Sequence, residues 1–166
     1  MDAVDIRRLT SRDAALYRDI RLAALKESPE AFAGTFEAEN GQPLAWFSDR
    51  LAGNAIFGAI RDGTAVGIAG LLIQEGEKKA HKGVLFGMYV RPEARRLGIG
   101  ARLCEAVVDL ARRQVEIVQL HVVSDNQPAR RLYARLGFIE YGLEKKAMKR
   151  NGRYYDEVLM AMDLRP

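Results

Sequence analysis

The stretch covering residues 88–101, MYVRPEARRLGIGA, constrains this chain more than any other, because a short apolar strand stops at a proline and glycines open a helix. Val84, Leu85, Phe86, Met88, Tyr89 and Val90 make a mostly apolar, partly β-branched and aromatic run, which Pro92 ends because proline has no N–H for a ladder. From Ile99 onward, Leu103, Ala106, Val107 and Leu110 recur at helical spacing, and Arg102, Glu105, Asp109, Arg112 and Arg113 fall on the opposite arc. The order is strand, loop, amphipathic helix. The first turn of such a helix holds N–H groups without intrahelical partners and carries partial positive charge, so it suits a phosphate. Gly98 and Gly100 remove side chains where a ligand oxygen would meet the backbone, and Arg95, Arg96 and Arg102 add positive charge around the same turn. Neither GxxxxGK[ST] nor GxGxxG occurs, since Leu103 takes the last position of the second pattern. A Walker NTPase and a Rossmann dehydrogenase are therefore unsupported.

A chain of 166 residues, about half of them apolar, is expected to form one domain over 1–166. The net charge of +4 comes from 26 basic and 22 acidic residues with no block of five like charges, so no nucleic acid partner is expected. A mild basic surplus suits a polyanionic ligand. Cys104 is the only cysteine, excludes an intrachain disulfide and reads as a small core filler. No leader pattern opens the chain and no apolar run approaches the roughly 18 residues of a spanning helix, so the expected setting is cytoplasmic, with no membrane partner. His81 and His121 lack metal-ligand spacing, and no metal is expected.

In chain order, residues 4–9 read as a strand, and Thr10 with Asp13 has the spacing of a capping box. A helix follows with Leu16, Ile20, Ala23 and Ala24 as its buried stripe, ended by Ser28-Pro29. Residues 31–42 show little periodicity and read as a loop that is either a substrate wall, with Phe36 and Glu37 facing a ligand, or a loop pinned by its phenylalanines. Pro43 opens a short helix carrying Leu44, Trp46, Phe47 and Leu51. Residues 55–60 and 65–73 form a hairpin about Asp62-Gly63. A charged connection, residues 74–81, leads into the strand that ends at Val90. Residues 117–123 read as a mostly buried strand, parallel to the earlier one because a helix crosses between them. Pro128 starts a helix through Ala129, Leu132, Tyr133 and Leu136 with Gly137 at its end. Residues 138–143 and 158–164 are expected as strands around a loop containing Asn151-Gly152. The fold class is α+β, a mixed sheet with helices on both faces.

The spacing Val90, Pro92, Arg95, Gly98, Gly100 resembles the RxxGxG acetyl-CoA motif of the GNAT superfamily of N-acetyltransferases, and SDNQPARRLYARLGF, residues 124–138, resembles its second signature. The resemblance covers essentially the whole chain. It implies a three-layer α/β/α fold with a mostly antiparallel sheet and a central pair of splayed parallel strands, where acetyl-CoA inserts as a co-substrate. It assigns pantetheine pairing to the backbone of Met88 and Val90 beside Tyr89, and the pyrophosphate to the region of Arg95, Arg96, Leu97, Gly98, Ile99, Gly100 and Ala101. Asn126 would bond the pantetheine arm, and its local sequence equally supports a helix cap.

The chemistry is attack of an amine on a thioester carbonyl, which needs positioning, an oxyanion donor and a proton source. The resemblance assigns the proton source to Tyr133, whose phenol is neutral at pH 7; packing in a helix stripe explains its spacing equally. The oxyanion donor falls to a backbone N–H of Val90 or its neighbour. An alkyl amine is neutral in only around one part in two thousand at pH 7, a penalty near 4–5 kcal/mol that a base or apolar pocket must offset. Val84 and Phe86 stand where some relatives carry that base, and Glu37, Glu75, His81 and Asp156 are the alternatives. Tyr89, Tyr154 and Tyr155 are candidates to line a pocket for a flat acceptor. The expected acceptor is a small-molecule amine, with a peptide N-terminus or lysine as the alternative, and an acetyl-CoA-binding module without turnover as the alternative of another class. An open edge at the last two strands is the expected route to a homodimer.

Overall fold

The computed structural model describes residues 3–166. Its elements are β1 (Asp5–Arg8), α1 (Ala14–Glu27), α2 (Phe36–Asn40), α3 (Leu44–Gly53), β2 (Ala55–Arg61), β3 (Thr64–Ile73), β4 (Lys82–Val90), α4 (Ile99–Ala111), β5 (Ile117–Val123), α5 (Gln127–Leu136), β6 (Ile139–Arg150) and β7 (Arg153–Asp163). The seven strands form one sheet in the order β1-β2-β3-β4-β5-β7-β6. Every neighbouring pair is antiparallel except β4 and β5, joined by the α4 crossover.

Each face of the sheet carries its own apolar layer. On one, α4 buries Leu103, Cys104, Val107 and Val108, and α5 adds Ala129 and Tyr133 against Leu120, Val122 and Met160. Cys104 lies wholly inside this layer, where burial pushes its thiol up to about 12. On the other face, α1 sets Tyr17, Ile20, Ala24 and Leu25 with Phe47 and Leu51 of α3 against Ile56, Ile68 and Tyr89. The entry to α1 is fixed by the expected capping box. The Asp13 carboxylate accepts from the Thr10 N–H at 2.7 Å and takes both Arg7 amino groups at 3.0 Å.

Two expectations need correction. Residues 31–42 are not all loop, because Thr35 caps the single-turn α2 by accepting from the Ala38 N–H. The last two strands are much longer than expected: β6 and β7 pair out to Arg150 and Arg153, and Asn151-Gly152 is their two-residue turn, with φ of 50° and 77°. Those angles are what a tight hairpin requires.

Candidate active site

β4 and β5 pair only through Lys82 with Ile117, Gly83 with Val118 and Val84 with Gln119, after which they part. The cause lies within β4, whose register with β3 shifts between Ile68 and Gly70 opposite Gly87, a residue at φ 65°. The Arg91 N–H still reaches back to the Val66 carbonyl at 2.8 Å, so the N–H and C=O of Val90 face away from β3 into the parting. A cavity of about 900 Å³ opens there, with Met88, Tyr89 and Val90 on its β4 wall.

The end of the cavity is the turn into α4. The Arg95 N–H closes onto the Pro92 carbonyl at 3.3 Å and the Arg102 N–H onto the Gly98 carbonyl at 3.1 Å; the six backbone amides between them, Arg96 to Ala101, have no backbone acceptor among the described residues. Arg96 and Gly98 both take positive φ, 65° and 76°, which curls these amides around a concavity. A Cβ on Gly98 would meet nothing within 4 Å, so the space over it is open to a ligand, whereas one on Gly100 would sit 3.3 Å from Leu132. The first glycine clears the cradle and the second lets α4 approach its neighbours. Unpaired amides, a helix N-terminus and two nearby arginines fit a coenzyme pyrophosphate.

The predicted residues gather here with exceptions. Met88, Tyr89, Val90, Arg95, Arg96, Gly98, Ile99, Gly100, Ala101 and Asn126 all line the cavity. Leu97 contributes only its amide, its side chain being largely exposed outside the lining. Arg102 was expected to charge the cradle, but its guanidinium turns away and donates to the Val4 carbonyl at 3.0 Å. Arg95 is also committed: Nε donates to the Val90 carbonyl at 3.0 Å and Nη2 to Glu27 at 2.9 Å, tying the end of α1 to the cradle. Glu27 stays below the usual carboxylate range, because burial, which raises it, is outweighed by the Ser28 hydroxyl and Arg95. Asn126 caps α5, accepting from the Ala129 N–H at 3.3 Å, and also lines the cavity.

Tyr133, the predicted proton source, is not among the residues lining the cavity: it is buried in the apolar layer, edge-on to Phe138 at 5.9 Å. Burial, with a smaller contribution from the neighbouring Cys104, drives its phenol far above the ordinary value, so it keeps its proton throughout the working pH range.

The opposite wall comes from the segment after α1, through Ser28, Glu30, Ala31 and Phe32, and from Arg153 and Tyr155 of β7. Phe36 and Glu37, proposed for this wall, lie outside the lining: Phe36 packs beside the α1 layer under Lys26, and Glu37 is exposed. Sequence spacing missed Phe32, which stacks edge-on with Tyr89 at 6.4 Å. Of the tyrosines, Tyr89 and Tyr155 face the cavity, while Tyr154 lies outside beneath Lys146 and Lys149. Among the base candidates, Glu75 and His81 sit on the β3–β4 connection, at the far end of β4 from the cradle. Asp156 accepts from the Lys146 N–H at 2.8 Å.

A layered α+β fold with splayed parallel strands and an amide-lined helix entry defines an acyl-coenzyme-binding class. The family model for the acetyltransferase (GNAT) family matches residues 17–138, and the chain belongs to this family. It is thus an acetyl-CoA-dependent acetyltransferase. The chain is 34% identical over 125 residues to the N-alpha-acetyltransferase RimI of Mycobacterium tuberculosis, covering 74% of this chain and 77% of that protein. It is 28% identical over 166 residues to the L-amino acid N-acetyltransferase AaaT of Escherichia coli, covering 97% and 98%. Among solved structures, a GNAT-family acetyltransferase from Streptococcus pneumoniae matches with a TM-score of 0.89 at 20% identity, covering 97% of this chain and 99% of that one. The structure of yncA from Salmonella typhimurium with its cofactor acetyl-CoA matches with a TM-score of 0.83 at 24% identity, covering 99% and 95%.

Proposed function

We propose that this enzyme transfers the acetyl group of acetyl-CoA to the primary amine of a small molecule by direct attack in a ternary complex. One observation carries the reading: the amide cradle and the wall formed by Ser28, Glu30 and Phe32 border the same cavity, so coenzyme and acceptor share one continuous space. In this scheme the amine lone pair attacks the thioester carbon, the carbon–sulfur bond breaks, and the departing thiolate is protonated. The family motif assigns the donor to Tyr133, whose hydroxyl would have to open onto the cavity, which would also relieve the burial that holds its proton. The N–H of Val90, directed into the parting, is placed for the developing oxyanion. Of the two acids in the lining, Asp125 pairs with Arg153 at 3.3 Å, which leaves Glu30 to receive the proton of the amine.

The likeness to AaaT over nearly the whole chain supports a small acceptor such as an amino acid, and the ion pair between Glu27 and Arg95 draws the acceptor wall toward the cradle. The likeness to RimI favours a second reading, a peptide N-terminus, which would have to enter from the solvent side of the cavity. A cytoplasmic setting suits the unpaired thiol of Cys104. The test is thiol release from acetyl-CoA across a panel of amines and peptides, beside Tyr133→Phe. Small amines are expected to turn over, and the variant to lose about 100-fold or more in rate while still binding acetyl-CoA. Turnover of peptides alone would overturn the small-molecule reading, and an unchanged rate for Tyr133→Phe would remove the acid assignment.

A further inference from the structure

Arg21 on α1 and Glu39 on α2 form a buried pair, each side chain 8% exposed. Nε and Nη2 of Arg21 donate to the two carboxylate oxygens of Glu39, both at 2.9 Å. The third nitrogen, Nη1, has no acceptor among the described residues. A pairing that only joined α1 to α2 would not require that nitrogen to face the site, yet it points at the kink of β4, where a Cβ on Gly87 would lie 3.9 Å away. Arg21 there helps line a second, smaller pocket with Tyr17, Gly70, Phe86 and Gly87. Its free space of about 10 Å³ accommodates one water-sized oxygen.

The two pockets share no lining residue, but their walls are linked through β4 and Phe32. Gly87 immediately precedes Met88 on the cavity wall, and the Arg21 guanidinium lies 5.3 Å over the ring of Phe32, which lines the main cavity. We propose that Nη1 of Arg21 anchors one oxygen of a carboxylate on the acceptor, making the substrate class an amine that bears a nearby carboxylate, as an α-amino acid does; this rests on the acetyltransferase reading of the cleft. The oxygen would be held at the kink of β4, one residue before the cavity-lining Met88 on the same strand. The donor is charged and fixed by Glu39, so it strengthens the bond to a carboxylate over that to an amide oxygen.

The experiment compares kcat/KM of the wild type for an L-amino acid, its primary amide and the corresponding amine without the carboxyl group, by thiol release. A preference for the acid of about tenfold to a hundredfold, carried by KM, is expected from one hydrogen bond to a charged group. In the paired variant Arg21→Met/Glu39→Leu, which removes both charges together and so avoids an unpaired buried carboxylate, the ratio of acid to amide should fall toward one. Equal use of acid, amide and amine by the wild type overturns the anchor, with a bound water then filling the pocket, and leaves the acetyltransferase reading standing. A preference that survives in the paired variant also overturns it. No turnover of any amine by a wild type that binds acetyl-CoA would overturn the broader reading, and the anchor with it.

Discussion

Gly98→Ala separates the two roles of the cradle, backbone conformation and ligand contact. At φ 76° an alanine pays the left-handed penalty of about 1–2 kcal/mol, which for a chain of this size lowers Tm by about 2–8 °C. Among the described residues nothing beyond its chain neighbours lies within 4 Å of the new Cβ, so the fold has no second reason to suffer. The methyl group instead occupies the open side of the six unpaired amides. Displacing a phosphate oxygen from even one of them forfeits about 1.5–3 kcal/mol, or about tenfold to a hundredfold in affinity for acetyl-CoA. Calorimetric titration with acetyl-CoA reads the second effect and thermal unfolding without ligand reads the first. A Gly98→Ala protein that melts earlier yet binds acetyl-CoA as the wild type does would refute the assignment of these amides to the pyrophosphate.

Other perturbations probe the frame around the site. Glu39→Ala leaves Arg21 buried without its partner and is expected to cost about 3–5 kcal/mol, visible as a large drop in the urea midpoint; a change below 1 kcal/mol would mean the pair is not buried in solution. The Arg7 hydrogen bond holds Asp13 below its usual value against the opposing effect of burial, so its stabilisation is fully present above the unfolded value near pH 4 and lost as pH falls through the lower folded one. Asp13→Asn should flatten that acid limb of Tm against pH, and an unchanged limb would exclude the pair as its source. Strand β6 leaves Ile139, Tyr141 and Leu143 more than half exposed at an outer edge, and a homodimer through this edge is expected by light scattering. Leu143→Glu should return it to monomer, and a monomeric wild type at high concentration would exclude the dimer.

Local patterns marked the cradle because strand, proline, glycines and amphipathic helix are adjacent in the chain and each acts on its own neighbourhood. The same holds for the Thr10 capping box and the Asp62-Gly63 hairpin. What spacing did not reveal was set by distance in space. Nothing in residues 31–42 distinguishes Glu39, which reaches Arg21 on another helix, from Glu37, which stays in water. The wall also falls to Phe32 rather than Phe36, because the short α2 turns the latter toward α1. The long β6–β7 hairpin carried its signal in Asn151-Gly152, but the flanking residues are rich in charge and lack alternation, since β6 is an edge strand with little to bury.

An ordinary seven-stranded sheet ends in two edges, whereas the parting of β4 from β5 gives this one additional unpaired margins in its middle. The amide of Val90 is therefore expected to exchange rapidly in the free enzyme despite its central position, and protection there should grow with acetyl-CoA concentration. The ligand would then act as a stabilising strand, linking the thermal resistance of the sheet to the supply of coenzyme.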